Sequence, residues 1–362
     1  MWIWLLMLGC IIGIRFLIPD ALGEKKKNLI FLSLTFLFIT FFVGSRCPFW
    51  SGSADLYTYF ACYKNAGRYP LEQLKELYRF ETGYLIFNKI LSWFFPWEYF
   101  IVYFEAAFCT GVILWYFNKH SKNVVMSVIL YICVGPWSFF LTGFRQGFSI
   151  CLCLIAFELM KKMSLGFDLI ALALILLAYS FHTTAIVFVS VFFIRYMKMN
   201  KRTVFIALII TLMGVIFAKD ILSWMNVVFD VDYKGLYIGN IFGGVVPIAI
   251  YTMALIFCYV LWKDNPASID DMYYDILILF VGLCIYISRY SVVVFERISY
   301  YFTPVASVVL ANSVSMQKNK VSRNIMVVMC IVLCTVLFMY RMSPQENYFF
   351  FWEYWERLIP IV

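Results

Sequence analysis

Apolar stretches close to the length of a bilayer crossing follow one another along almost the whole chain, near 2–18, 28–44, 98–117, 124–141, 145–160, 166–181, 183–197, 203–218, 241–262, 273–292, 298–315 and 324–340. About twenty apolar residues in a helix cross the roughly 30 Å hydrocarbon core, where a backbone has to satisfy its own hydrogen bonds. The sequence therefore predicts an all-α polytopic integral membrane protein with about twelve transmembrane helices. The run from 166 to 197 is too long for one crossing and divides at His182. Composition agrees, since 64% of the 362 residues are hydrophobic and 14% charged, against about 25% charged in soluble domains. The first eighteen residues lack a basic leader and stay apolar, which reads as a retained span and no cleaved signal peptide.

Basic residues mark alternate connections: Arg15 with Lys25 to Lys27, Lys119 and Lys122, Lys161 and Lys162, Arg195 to Arg202, Lys263, and Lys318 to Arg323. The positive-inside rule assigns these to the cytoplasm. The net charge of +8 is thus a topology signal first, and no basic run suits nucleic acid. The other side then receives the segment 45–96, the turn at 142–146, the His182 turn, the loop 219–240, the segment 289–297 and the C-terminus. Arg46, Asp55, Glu81, Arg145, His182, Arg289, Glu296 and Arg297 consequently share one outer side.

In the segment 45–96, the stretch Arg46 to Asp55 sets turn formers among aromatics, and Glu81-Thr82-Gly83-Tyr84 opens an apolar run of about fifteen residues. That run is too short to cross and predicts a re-entrant or amphipathic interfacial helix. The loop 219–240, with Asp230, Asp232, Tyr233, Lys234 and Tyr237, is polar enough to cover a cavity, and Tyr348 to Trp355 suits the membrane interface. No internal repeat is evident, so 1–362 reads as a single transmembrane domain. Most of the eleven cysteines lie in apolar spans as small hydrophobes, while Cys47 and Cys62 stay open between a disulfide and free thiols. With two histidines and no CxxC pair, no metal site and no cofactor are expected.

Ionisable groups at the ends of apolar spans are costly and mark functional paths. Arg145 and Gln146 follow Gly143 at a helix start, where a planar guanidinium and the helix dipole both suit pyrophosphate oxygens. His182 is a general base, a donor to substrate or a helix-end cap. Glu296 and Arg297 face apart on a helix, so each needs another partner; Arg289 and Tyr300 are near in sequence. Arg46, Asp55, Tyr57 and Glu81 add carboxylates able to do acid and base work on sugars. Glu105 reads as structural and Arg341 as a snorkelling anchor. Arginines suit an anion and aromatic faces suit sugar rings, so a lipid-borne phosphosugar satisfies both.

With these motifs the sequence resembles the EpsG family of bacterial polysaccharide polymerases, related in role to Wzy. The likeness is carried by the Gly44 to Tyr59 segment, Glu81-Thr82-Gly83-Tyr84, Arg145-Gln146, Phe181-His182-Thr183, and Glu296-Arg297 with Tyr300-Tyr301, in that order. It departs at Asp55, where the family shows Gly-x-Asp-x-x-x-Tyr and this chain has Ser53-Ala54-Asp55 before Tyr57 and Tyr59. The resemblance implies a metal-independent, GT-C-like glycosyltransferase of the bacterial cytoplasmic membrane that polymerises undecaprenyl-pyrophosphate-linked oligosaccharide on the outer face. It also implies a flippase and a chain-length regulator of the same pathway as partners, besides membrane lipid. On that reading Arg145, Arg297, Arg289 and Arg46 hold pyrophosphate, and His182, with Glu81 or Asp55 in reserve, is the base. Gln146, Tyr57, Glu296 and Tyr300 would contact the rest of the substrate. Two other classes compete: a transporter of lipid-linked sugar or a small anion, with charges near mid-span and often a repeat, and a membrane O-acyltransferase, which needs a cytoplasmic catalytic set.

Overall fold

The computed structural model describes residues 2–19, 21–49, 54–134, 136–229, 241–261, 266–342 and 348–353. Residues 230–240 of the covering loop, Lys263, and residues 354 and 355 of the aromatic stretch lie outside them. The chain opens with α1 (Trp2–Leu17) and α2 (Glu24–Gly44), followed by three shorter helices in the segment 45–96: α3 (Ala54–Ala66), α4 (Leu71–Leu77) and α5 (Thr82–Phe94). Next come α6 (Phe100–His120), α7 (Val124–Val134), the single turn α8 (Trp137–Phe140), α9 (Phe144–Met160) and α10 (Leu165–Phe181). A 3-10 segment, η1 (Thr183–Ser190), runs into α11 (Val191–Ile194), and α12 (Lys201–Ile216) bends by 72° into α13 (Ala218–Phe229). The chain continues through α14 (Ile241–Leu261), α15 (Pro266–Asp271), α16 (Tyr273–Ile287), η2 (Ser288–Tyr290), α17 (Val294–Ser299), α18 (Ala306–Met316) and α19 (Lys320–Met342).

The described residues form helices joined by turns and short irregular stretches, with one isolated bridge between Arg46 and Phe350. Where the sequence suggests about twelve crossings, five helical stretches are long and apolar enough on their own: α2, α6, residues 244–261, residues 273–290 and α19. The bent pair α12–α13 makes six if it is one span. The other apolar runs fold as shorter or broken helices, and proline explains two of the breaks. Proline lacks the amide a continuing helix needs, so Pro136 separates α7 from α8 and Pro304 separates α17 from α18. Within these limits α12 is well started, because the Asn200 side chain accepts the Thr203 amide at 3.0 Å. The Glu81 run forms α5, whose thirteen residues are too short to cross.

Most helices bury their apolar faces in one large cluster, while a second, largely aromatic cluster joins α3, α5, α6, α9 and α10 through Tyr59, Tyr84, Ile101, Phe144, Phe148 and Phe181. Tyr59 stacks on Phe144 with centroids 4.9 Å apart, and Phe87 meets Phe148 edge-on at 5.4 Å. The C-terminal residues 348–353 fold back on the start of the segment 45–96, where the Cys47 amide donates to the Phe349 carbonyl at 2.8 Å. All eleven cysteines are free thiols, Cys47 and Cys62 included; Cys10 is exposed, Cys284 half-buried, and the rest are buried.

α9 serves as a ruler for the polar groups. Arg145 lies in its first turn and Glu158 in its last, thirteen residues on, or about 20 Å at 1.5 Å per residue. Around buried Glu158 gather Lys119 at 2.5 Å, His120 at 2.9 Å and Lys161 at 2.6 Å, and Lys161 reaches Asp275 at 2.7 Å. Nearby, Arg195 holds Asp168 by two bonds of 2.6 and 2.7 Å. Most of these cations come from connections assigned to the cytoplasm, and the groups assigned to the opposite side converge at the other end of α9.

Candidate active site

Local geometry at the head of α9 builds this site. The Gly143 amide donates to the Phe139 carbonyl at 2.8 Å, closing the α8 turn so that α9 begins at Phe144. The Arg145 guanidinium then lies 4.3 Å over the Phe80 ring and pairs with Glu81. Ser149 ties α9 to the end of α10, donating to the Ala178 carbonyl at 2.8 Å. α10 stops at Phe181, and His182 turns to an extended conformation while its amide still reaches Ala178 at 2.9 Å. α5 can approach this corner because Gly83 has no side chain: a Cβ there would lie 2.6 Å from the Ser180 carbonyl oxygen.

The result is a carboxylate with three donors. Glu81 Oε2 takes Arg145 Nη1, and Oε1 lies 3.1 Å from both His182 Nδ1 and the Thr183 amide. Burial opposes the charge on Glu81, but the His182 hydrogen bond and the Arg145 charge outweigh it and hold the carboxyl down at about 2. An ionised carboxylate only accepts hydrogen bonds, so Nδ1 of His182 carries the proton towards Glu81. In the neutral imidazole Nε2 is then the bare nitrogen.

His182 and Arg145 line a cavity of about 200 Å³ together with Gln146, Arg297, Asp55 and Gly143, and with Thr58, Tyr59, Phe80 and Phe139. Arg297, on α17, lies 5.6 Å over the Phe139 ring and is exposed, with no carboxylate partner among the described residues. Its carbonyl accepts the side-chain amide of Gln146, which is 3% exposed, at 2.7 Å. Asp55, in the first turn of α3, is exposed at the rim. α9 begins at the wall of this cavity, with Gly143, Arg145 and Gln146 lining it; the first amides of a helix have no acceptor within it, and its dipole favours an anion near its start.

Other residues singled out in the sequence are placed elsewhere. Arg46 is 1% exposed and donates to the carbonyls of Val43 at 2.8 Å and Leu141 at 2.7 Å, pinning the segment that meets Phe350. Arg289, 7% exposed, pairs with Glu296 at 2.9 Å, and the Tyr300 hydroxyl donates to Glu296 at 2.7 Å. These three brace α17 and stay off the cavity wall. Tyr57 is exposed beside Phe49, with ring centroids 5.4 Å apart. Conversely, Thr58, Tyr59, Phe80 and Phe139 line the cavity, and none of them is a site residue named from the sequence, although Tyr59 belongs to the Gly44 to Tyr59 segment that carries the resemblance. Tyr59 lies four residues after Asp55, one helical turn on, and Phe80 directly precedes Glu81, so both had a signal in spacing; Phe139 had none.

Among the described residues no three His, Cys, Asp or Glu side chains come together as metal ligands. A larger cavity of about 530 Å³ among α1, α2, α7 and α19 sets Arg15, Glu24 and Lys122 beside apolar walls and contains no histidine.

Fold and site together define a multi-pass helical membrane protein with an arginine- and histidine-lined pocket at a helix N-terminus. A family model, EpsG family, matches residues 29–355, and the chain belongs to that family of Wzy-like polysaccharide polymerases. No curated protein and no solved structure matches the chain.

Proposed function

We propose that this protein polymerises undecaprenyl-pyrophosphate-linked oligosaccharide repeat units by glycosyl transfer at the outer face of the bacterial cytoplasmic membrane. The short and broken helices would complete about twelve crossings in a GT-C-like arrangement, with 45–96 and 219–240 covering the cavity. A hydroxyl of the acceptor unit gives its proton to Nε2 of His182, and its oxygen attacks the anomeric carbon of the donor chain. The bond from that carbon to the pyrophosphate breaks, and undecaprenyl pyrophosphate departs with the electron pair. Arg297 and the first turn of α9 stabilise the charge that grows on it, the part a divalent ion plays in other transferases. Arg145 acts from the wall, shared with Glu81, and Glu81 keeps His182 in the basic tautomer.

The observation that carries this reading is His182 on the wall of a pocket that also holds Arg297, with Glu81 paired to it from outside the cavity. The ionisable groups gather at one end of α9, about 20 Å from the second polar set, and this favours chemistry there over a polar transport path. The test is purified protein in lipid, given a short lipid-linked repeat unit, with products resolved as a ladder on a gel. His182→Ala is expected to slow the ladder by about 10²- to 10⁴-fold, the usual contribution of a general base, and Arg297→Ala to abolish it. An undiminished ladder in both variants refutes the assignment. Movement of substrate across the vesicle wall without any ladder would identify a transporter.

A further inference from the structure

Beside the proposed active site lies a third cavity, of about 410 Å³, within the roughly 300–1,000 Å³ of small-molecule sites. Phe280 of α16 forms its floor, Ala207 and Ile210 of α12 one wall, and Val187 and Ile194 of η1 and α11 the other. The lining is almost wholly apolar, and the Thr211 hydroxyl on the α12 wall is satisfied by the Ala207 carbonyl at 2.8 Å. α12 packs on α16 and η2, and Ile210, which lines the cleft from α12, is 64% exposed. The cleft therefore opens sideways, where a bilayer would lie.

The polar pocket and the apolar cleft share two structural elements. α17 turns Arg297 into the pocket and contributes Phe295 and Ile298 to the cleft. η1 follows directly on His182 of the pocket and carries Val187 of the cleft. Five residues of 3-10 helix span about 10 Å, so a ligand with an anionic head and a long apolar chain could reach both.

We infer that the cleft holds the polyprenyl chain of the lipid-linked substrate while its pyrophosphate rests on Arg297. This rests on the polymerase reading. It also fits the charges: Arg297, next to Ile298 of the cleft, lines the pocket without a carboxylate partner among the described residues, and the cleft itself offers almost wholly apolar contact. Phospholipid acyl chains fill grooves of the same polarity and a phospholipid phosphate suits the same arginine, so competition between the two lipids separates them.

The test uses wild-type protein in nanodiscs and a polyprenyl pyrophosphate with a diazirine in its chain, adducts being mapped by mass spectrometry. Adducts are expected on residues 207–214 and 280–285 and are displaced by undecaprenyl pyrophosphate, not by excess phospholipid. Adducts confined to exposed faces such as residues 328–336 of α19, or displaced equally by phospholipid, overturn the inference. Ala207→Phe and Val187→Phe fill the cleft from opposite walls. Each is expected to weaken a long-chain donor about tenfold, equivalent to about two buried methylenes, while a donor with a single isoprene is unaffected. Unchanged long-chain affinity in both variants overturns the inference as well. If wild type forms the cleft adducts but no polymer ladder, the cleft stands and the polymerase reading falls. A ladder without cleft adducts gives the reverse.

Discussion

At the scale of single residues, Glu81 organises the site without facing the cavity: three donors, from Arg145 and from the adjacent His182 and Thr183, end on its carboxylate. Its carboxyl titrates at about 2, below its ordinary 4.5. A depressed native value stabilises the fold above the unfolded value and loses that contribution as pH falls through the native one. Glu81 should thus contribute on the order of 3 kcal/mol above pH 5, fading as the pH falls from about 4.5 towards 2. Glu81→Gln is expected to flatten the drop in melting temperature of the purified protein between pH 5 and pH 3, read by tryptophan fluorescence. It should also reduce kcat more than it raises KM, because His182 loses its orienting charge; equal kcat in the two proteins would show that the pairing is only structural. Arg145, Gln146, His182, Arg297 and Asp55 were legible as candidates because an ionisable or amide group beside an apolar span has few cheap explanations. The fate of Arg289 was not legible. Its pairing with Glu296 depends on how η2 and α17 turn between them, which no charge pattern records.

Among the elements, α5 is the one whose position decides the chemistry, since it brings Glu81 against the end of α10. Gly83→Ala would put a Cβ 2.6 Å from the Ser180 carbonyl oxygen. The variant is expected to lose about 1–3 kcal/mol of stability, as overpacked sites do, and to lose activity with it. Melting temperature and ladder formation measure the two together, and wild-type values for both would mean that α5 has room to shift. Hydropathy showed where apolar stretches lie and that the run from Glu81 is too short to cross. It did not show that 183–197 would start as a 3-10 segment, or that 298–315 would be divided at Pro304, because a window average is the same for a straight helix and a broken one. What separates them is packing and a missing amide, and only the second is written in the sequence.

For the molecule as a whole, the two ends of α9 behave as separate polar systems. Glu158 holds Lys119, His120 and Lys161 together at 4% exposure. Glu158→Gln leaves Lys119 and His120 without their acid, while Lys161 keeps Asp275 and Lys119 can reach water; the cost is expected to be about 1–3 kcal/mol, below the range for a fully buried pair. With the pocket about 20 Å away, substrate KM should stay unchanged in the fraction that folds; a large KM shift would mean that the two ends are coupled through α9. The cysteines bear on the same geometry from another direction. Nine of the eleven thiols are buried, Cys284 is half-buried within α16, and Cys10 lies midway along α1. With α1 as one of the proposed crossings, a charged, membrane-impermeant maleimide should leave the native chain unlabelled. One new cysteine at exposed Arg68 or at exposed Lys320 would then report by itself which end of the molecule faces the periphery of the cell, without a cysteine-free background being made first.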